Sequence, residues 1–218
     1  MDGPSLLLLV RAAGVSLGLA WAAVLCGTVA GVALTALAFS RLMVIRAVYR
    51  TWVYLIRGMP VLVLALLVFY ALPAMDLQSG PYLAGILVLT IYVSALFAEV
   101  FRGGVLAIPR AQWESAKSLG MPPGAMLRKV VMPLVARYTL APYVNVCVMT
   151  VKASSVLSII SVWELTFAAR EIIERTLAVF SVLGAAGALY FLMCFGIDRS
   201  GRWLERRLMV RGFVGESV

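Results

Sequence analysis

The chain has 218 residues and a formal net charge of +9, and 63% of its residues are hydrophobic. Apolar runs of about twenty residues recur along it, which excludes an ordinary soluble domain and indicates an integral membrane protein. The basic residues lie between the apolar runs without an aromatic-studded basic surface, so basic membrane loops are favoured and no nucleic-acid partner is expected. Histidine is absent, which removes the usual metal ligand and general base, and neither a metal nor a cofactor is predicted.

The opening stretch, MDGPSLLLLVRAAG, superficially looks like a secretory leader. A leader begins with basic residues and then has an unbroken apolar core. This stretch carries Asp2 near its start, and Arg11 interrupts the apolar run. The stretch is therefore predicted to be the entry to the first membrane span.

Apolar length predicts an all-α integral membrane protein with five transmembrane helices in a single domain, residues 1–218. The apolar piece Val156–Val162 is too short to cross and is predicted to be re-entrant or interfacial. The five spans are predicted at about 12–38, 55–73, 81–101, 130–151 and 177–197.

The distribution of positive charge predicts the orientation. With the N-terminus outside, most Lys and Arg residues fall in cytoplasmic segments, including those at 41–57, 102–137 and 199–211. Cytoplasmic loops of membrane proteins carry such an excess of Lys and Arg. The C-terminus is therefore also predicted to be cytoplasmic, and the tail Arg199–Arg211 is predicted to anchor on anionic membrane lipid.

The cytoplasmic loop at about 107–125 contains a short polar helix, predicted from Ile108-Pro-Arg-Ala-Gln-Trp-Glu-Ser-Ala-Lys-Ser-Leu-Gly-Met-Pro122. Pro109 suits the first turn of a helix, and Gly120 suits the left-handed residue just past its end. A helix of about ten residues is marginal in water by itself. A surface of this protein or of another subunit must therefore hold it, and an ordinary loop helix remains the alternative on these physical grounds.

The same segment resembles a known motif. Glu114-Ser-Ala116, Gly120 and Val130-Val-Met-Pro133 keep the spacing of the EAA loop, Glu-Ala-Ala-x3-Gly-x9-Ile-x-Leu-Pro, found in permeases of ATP-binding-cassette (ABC) importers. In that family the short helix is a coupling helix, which docks in a cleft of the ATPase subunit. The resemblance implies coupling roles for Pro109, Arg110, Trp113, Glu114, Ala116, Lys117, Gly120 and Met121.

Further segments resemble the polar amino acid permeases of this family, which have the type I importer fold. Arg57-Gly-Met-Pro60 is similar to their Arg-Gly-Thr-Pro, and Ala98-Glu-Val-Phe-Arg-Gly-Gly-Val105 to their Ala-Glu-Ile-Phe-Arg-Gly-Gly-Ile. Lys152-Ala-Ser-Ser155 is similar to Lys-Asp-Thr-Ser, with Ala153 where an Asp is usual, and Val162-Trp-Glu-Leu-Thr166 to Val-Pro-Glu-Leu-Thr. The resemblance covers roughly residues 10–210.

Four polar residues are candidates for the substrate path: Glu99, Lys152, Ser154 and Ser155. A carboxylate within a span is costly and usually faces the protein interior. For Glu99 a structural ion pair with Arg102, three residues later, is favoured over substrate contact. Lys152 and the two serines either receive a substrate carboxylate or cap a broken helix.

The resemblance implies an amino acid importer subunit of the bacterial inner membrane. The implied partners are two copies of an ABC ATPase, a second permease subunit (identical or paralogous), an extracytoplasmic solute-binding protein and an amino acid substrate. The sequence has no Gly-x4-Gly-Lys-Ser/Thr phosphate loop, so ATP hydrolysis is assigned to the partner. The alternatives are an importer for another small polar solute, a channel-like oligomer and, far behind, a membrane enzyme using Lys152 with Ser154 and Ser155.

Overall fold

The computed structural model describes residues 3–77 and 80–209, and within these ranges the chain is helical without a strand. A π-helical turn, Leu127–Val131, and a 3-10 helix, Ser154–Ile160, flank the seventh α-helix. The α-helices are α1 (Gly3–Ala38), α2 (Met43–Gly58), α3 (Val61–Ala74), α4 (Pro81–Leu106), α5 (Arg110–Ser118), α6 (Pro123–Met126), α7 (Met132–Ala153), α8 (Leu165–Thr176) and α9 (Val179–Met209).

Four helical stretches of the described chain are long and apolar enough to cross a membrane: Gly3–Ala38, Pro81–Leu106, Pro123–Ile160 and Val179–Arg207. The bent pair α2 and α3 brings the number to five if the pair is counted as one span. The predicted all-α membrane fold is confirmed, and the described chain has four or five candidate spans for the five predicted. The helices extend beyond most of the predicted limits, and α9 begins at Val179 because Leu177 has a left-handed backbone, with φ of 55°.

The predicted second span, 55–73, is not one helix. The axes of α2 and α3 differ by 110°. Pro60 causes the break, since it has no N–H to donate and its ring disfavours helical geometry at the residue before it. Met59 is accordingly extended, with φ of −101° and ψ of 133°, and the new helix begins at Val61. The 14 residues of α3 rise only about 21 Å, less than the roughly 30 Å hydrocarbon core.

α1 is the central helix of the bundle and packs closely along α4. A Cβ added at Gly27 lies 2.2 Å from the Val93 side chain, and one added at Gly31 lies 2.6 Å from Phe97 Cβ. The two helices therefore approach to a distance that only glycine permits. The Thr35 hydroxyl adds a hydrogen bond to the carbonyl of Ala98 across the same interface (3.1 Å). Small residues with interhelical hydrogen bonds are what stabilises helix pairs in a membrane.

The π turn Leu127–Val131 has a local cause. Pro133 lies in the first turn of α7 and donates no backbone hydrogen bond. In a regular α-helix its N–H would bond to the carbonyl of Lys129, and its ring would crowd that carbonyl. The helix widens by one residue immediately before the proline, which is the usual form of a π-bulge.

The helix directions place α5 and α8 at opposite ends of the molecule. α4 ends at Leu106, next to α5, and α7 returns from that end toward α8. α8 packs against the beginning of α1, where Leu9, Ala12 and Ala13 join a buried cluster with Leu165 and Ala168. The far end of α1, Ala38, leads into α2 instead. α5 and α8 are thus separated by much of the length of α1, about 54 Å.

Candidate functional site

The short polar helix α5 begins and ends as its sequence predicts. Pro109 is the N-cap residue, and Gly120 has a left-handed backbone, with φ of +65°. The N–H of Gly120 bonds to the carbonyl of Lys117 (2.9 Å), and the N–H of Met121 bonds to that of Ala116 (3.2 Å). These two bonds form a Schellman motif, which satisfies carbonyls that the end of a helix leaves unpaired.

α5 presents most of its surface outward. Its single buried residue is Ala116, which is 2% exposed, and Trp113 is half-buried. Leu119, just past the helix, is 80% exposed. Arg110, Glu114 and Lys117 are exposed and make no ion pair within the described part of the chain. A polar helix with an exposed apolar residue at one end is suited to docking in a partner's groove.

The eight predicted coupling residues are all on this unit but divide into two groups. Pro109, Arg110, Glu114, Lys117 and Gly120 are exposed, and Met121 is partly exposed. Ala116 and the inner side of Trp113 face the protein's own body. Spacings of three and four residues put Trp113, Ala116, Lys117 and Gly120 on one helix face, but spacing does not show that Ala116 faces inward. Ala116 thus anchors the helix and does not offer its side chain to a partner.

Glu99 lies in a polar cluster near the α5 end of α4. Arg102 donates to both of its carboxylate oxygens, through Nε at 2.8 Å and Nη2 at 3.2 Å. Arg57 Nη1, at the end of α2, lies 3.3 Å from Oε2, and the Tyr49 hydroxyl donates to Oε1. The favoured ion pair with Arg102 is present, and the cluster also ties α2 to α4. Sequence reasoning missed Tyr49 and Arg57 as partners because they are 50 and 42 residues away in the chain.

Lys152, Ser154 and Ser155 lie at the other end of the α7 helix. The Ser154 hydroxyl is buried and donates to the carbonyl of Val151 (2.8 Å), and that of Ser155 donates to the carbonyl of Lys152 (2.7 Å). Both serines therefore complete the helix where it tightens into the 3-10 segment. Lys152 is exposed and has no ion pair among residues 3–77 and 80–209.

The four predicted path residues do not form one site. Phe97 of α4 stacks on Tyr143 of α7, with ring centroids 4.7 Å apart, which fixes the relative height of the two helices. Lys152 is nine positions beyond Tyr143, so it lies roughly 15 Å from Glu99 along the helix axes. Glu99 is at the α5 end of the molecule, and Lys152 with the two serines is toward the α8 end.

Glu164 is a buried polar residue whose role the sequence did not reveal. It is 0% exposed and is the N-cap of α8, where its Oε1 accepts from the Phe167 N–H (2.9 Å). Its Oε2 accepts from the hydroxyls of Ser16 (3.1 Å) and Tyr190 (2.8 Å), so one carboxylate joins α1, α8 and α9. Burial raises the pKa of this carboxyl, while these hydrogen bonds act in the opposite direction. An acidic residue before a helix signals a cap, but the sequence shows neither the burial nor the distant partners.

The basic end of α9 lies beside the α5 end of the molecule. Arg199, Arg202 and Arg206 surround a cavity of about 530 Å³ with Trp203. The guanidinium of Arg207 lies 4.0 Å from the centre of the Trp203 ring, a cation–π contact. Arg211, the last basic residue of the predicted lipid anchor, lies outside the described residues.

Comparison with protein families gives one match that covers nearly the whole chain. Residues 14–210 match the family described as binding-protein-dependent transport system inner membrane component. The match includes all the predicted coupling and substrate-path residues.

Individual relatives are transport permeases. The L-cystine transport system permease protein TcyB of Bacillus subtilis is 32% identical over 177 residues, covering 80% of this chain and 76% of the relative. The nopaline transport system permease protein NocM of Agrobacterium fabrum is 30% identical over 217 residues, covering 93% and 90%. The glutamine transport system permease protein GlnP of Escherichia coli is 30% identical over 161 residues, covering 73% and 74%.

Solved structures share the fold. A chain of a structure described as an amino acid ABC transporter with histidines superposes with a TM-score of 0.87 at 29% identity, covering 95% of this chain and 99% of that one. A chain of the MetNI methionine ABC transporter in an inward-facing conformation superposes with a TM-score of 0.78 at 20% identity and the same coverage. The second likeness concerns the fold alone.

Proposed function

The chain belongs to the family of binding-protein-dependent transport system inner membrane components, and from this we propose that it is the subunit of an ABC importer that takes up amino acids. That it is an ABC importer permease subunit follows from the family. The amino acid class of the substrate is supported by relatives named for cystine, nopaline and glutamine transport. The observation that best supports the mechanism is that α5, a capped polar helix, is exposed at one end of the bundle.

In this proposal α5 docks in the ATPase subunit and transmits its closure to the membrane helices. α5 lies directly between α4 and the α6–α7 stretch, so a displacement of α5 acts on two spans. Arg110, Glu114 and Lys117 supply exposed charges for recognition, and Leu119 supplies an apolar contact. Ala116 and Trp113 hold the helix to its own subunit, so that movement of the helix moves the bundle.

The proposed assembly contains two permease subunits, two ATPase subunits and an external solute-binding protein. The bundle is oriented with α5 in the cytoplasm and α8 outside, as the distribution of basic residues favours. One subunit with up to five spans is too few to surround a solute path, whereas a two-fold or pseudo-two-fold pair encloses one.

Lys152 is the proposed substrate contact on this subunit. It is an exposed cation toward the α8 end, suited to the α-carboxylate that every amino acid carries. Ser154 and Ser155 are already bonded to helix carbonyls and serve to shape this end of α7. Ala153 offers no counter-charge for the substrate's ammonium group, so either the substrate needs none at this position or a paralogous second permease subunit supplies it.

The test is uptake by the reconstituted importer. The chain is placed in proteoliposomes with its ATPase, its second permease subunit where there is one and its binding protein, and a panel of radiolabelled amino acids and small polar solutes is offered. We expect ATP-dependent uptake of at least one amino acid. Uptake of other solutes only would make the amino acid assignment wrong while leaving the importer assignment intact.

Charge reversal on α5 tests the coupling role. Glu114→Lys changes an exposed side chain without opening a cavity, and we expect it to abolish ATPase co-purification and uptake while membrane insertion stays normal. Glu174→Lys makes the same charge change at an exposed position of α8, at the other end of the molecule, and should leave ATPase co-purification unchanged. Normal ATPase capture and uptake by Glu114→Lys would refute the docking of α5.

A further inference from the structure

A cavity lies between α2 and the α5 end of α4, away from the proposed substrate contact. Its volume is about 900 Å³, and its walls carry four arginines: Arg46, Arg50, Arg57 and Arg102. Glu99 is the single acidic residue in the lining, so the cavity holds an excess of three positive charges at neutral pH.

The four arginines are not equally engaged. Arg57 and Arg102 both contact Glu99 and share its one negative charge. Arg46 donates to the backbone carbonyl of Ser40 (3.2 Å), which leaves its charge uncompensated. Arg50 is exposed, and within the described ranges neither it nor Arg46 has a carboxylate partner. Guanidinium groups facing an open cavity with too few acids form a site for a phosphate or similar oxyanion.

The cavity lies at the level of the membrane surface. Ala38 and Arg102, which line it, lie at or near the ends of the spanning helices α1 and α4. Because α2 makes an angle of 110° with α3, it runs roughly along the membrane surface when α3 points into the bilayer. Interfacial helices of this kind meet lipid headgroups with their basic residues and lipid chains with their apolar residues.

The apolar part of α2 supports the same conclusion. Tyr54 and Leu55 are 82% and 56% exposed. Both line the cavity, so an apolar and aromatic surface adjoins the arginines. A ligand with a phosphate headgroup and acyl chains fits both parts, whereas a free phosphate ion would use only one.

We propose that this cavity binds the phosphate headgroup of an anionic phospholipid, with Arg46 and Arg50 as its principal contacts and the lipid chains against Tyr54 and Leu55. The site goes beyond the proposed transport function, and it depends on the proposed orientation only for the leaflet from which the lipid comes. Arg57 and Arg102 line the site but are held mainly by Glu99.

The experiment measures lipid retention by the full chain. Protein purified in a neutral detergent is titrated with dioleoyl phosphatidylglycerol, and occupancy of the tightest site is counted by native mass spectrometry. Each arginine at a membrane surface contributes about fivefold to the binding of an anionic lipid. We therefore expect Arg50→Gln to weaken the first site about fivefold and the double variant Arg46→Gln, Arg50→Gln roughly 25-fold.

The control removes the same charge elsewhere at the same end of the molecule. Arg128 and Lys129 are exposed and lie outside the cavity, so the variant Arg128→Gln, Lys129→Gln should retain the first lipid as the unaltered chain does. Equal weakening by both double variants, or by neither, would overturn the proposal. Size-exclusion profiles check folding. Arg50 makes no hydrogen bond or ion pair within the described residues, so Arg50→Gln serves alone if the double variant fails to fold.

Two further titrations identify the source of the phosphate. Dioleoyl phosphatidylcholine has the same chains and a phosphate but no net charge, and it should bind at least about tenfold more weakly because the arginines favour net negative charge. Inorganic phosphate at millimolar concentration should displace little of the phosphatidylglycerol. If phosphatidylcholine binds equally well, or if inorganic phosphate empties the site, the assignment to an anionic lipid is wrong.

Discussion

Gly120 is the residue at which sequence and structure agree most directly. Its positive φ of +65° lies in a region that glycine enters freely and that a β-branched residue enters at a cost of about 1–2 kcal/mol. A Cβ at this position would meet nothing within 4 Å, so the constraint comes from backbone conformation and not from packing. The end of α5 was predictable because the signal is local: one glycine, followed by the proline pair 122–123.

A substitution at Gly120 tests whether transport needs the left-handed backbone at the end of α5, since no side-chain contact is involved at this position. Gly120→Val should distort the Schellman motif and reduce uptake at least about tenfold, because Leu119 and Met121 would no longer be held in place relative to α5. Gly124→Val is the matched control: Gly124 is exposed, also has no atom near its added Cβ, and does not have a positive φ. ATP-dependent uptake in proteoliposomes measures both. Equal uptake by the two variants would mean that the left-handed end of α5 has no part in coupling.

The interaction partners of the two buried or clustered acids, Glu99 and Glu164, were only partly predictable. The pairing of Glu99 with Arg102 follows from their spacing of three residues on one helix. Its contacts with Tyr49 and Arg57, and those of Glu164 with Ser16 and Tyr190, depend on how helices far apart in the chain pack together. Hydropathy and helical periodicity contain no information on such pairs.

At the scale of the helices, the location of the spans was predicted well, and their limits and continuity less well. Apolar length located the main spans, but it merged the end of α2 with α3, because hydropathy does not detect an extended residue between two apolar helices. Pro60 marks the break, and Pro133 marks the π turn. Both prolines act on the residues that precede them, which is where the structure departs from a regular α-helix.

The close approach of α1 and α4 predicts that a larger residue in their interface destabilises the protein. Gly31→Ala places a Cβ 2.6 Å from Phe97 Cβ and 3.1 Å from the Ala98 backbone nitrogen, so the two helices must separate. Overpacking of this kind costs about 1–3 kcal/mol. We expect a lower thermal unfolding temperature in detergent, measured by fluorescence-detected size-exclusion chromatography.

Gly18→Ala on the same helix is the control for that measurement. A Cβ at Gly18 meets no atom within 4 Å, and alanine favours a helix more than glycine does. Its unfolding temperature should match or exceed that of the unaltered chain. If Gly31→Ala were as stable as Gly18→Ala, the close packing of α1 on α4 would be wrong.

At the scale of the whole molecule, the structure separates two polar regions, as the span predicted between them at about 130–151 requires. α5 and α8 are both short helices between spans, but they lie at opposite ends of the bundle. The distribution of basic residues predicts which end is cytoplasmic, whereas the fold alone is the same in either orientation. The overall class and the family of the chain were predictable from apolar length and motif spacing, because both depend only on residues that are close together in the sequence.

Labelling of single cysteines tests the orientation. The three native cysteines are replaced by alanine, and cysteine is introduced at Leu119 or Leu177, which are 80% and 82% exposed at the two ends. In intact spheroplasts a membrane-impermeant maleimide should label Leu177→Cys and should label Leu119→Cys only after permeabilisation. The reverse pattern would contradict the proposed orientation, with the cysteine-free chain as the background control.

In the cluster around Glu99, the chain tolerates substitution of either arginine better than substitution of the acid. Two arginines share one carboxylate there, so the loss of either leaves a neutral pair, while the loss of the acid leaves two unbalanced cations beside Tyr49. The arginines are therefore partly redundant with each other and the glutamate is irreplaceable. We therefore expect related chains to retain this acid more strictly than either arginine.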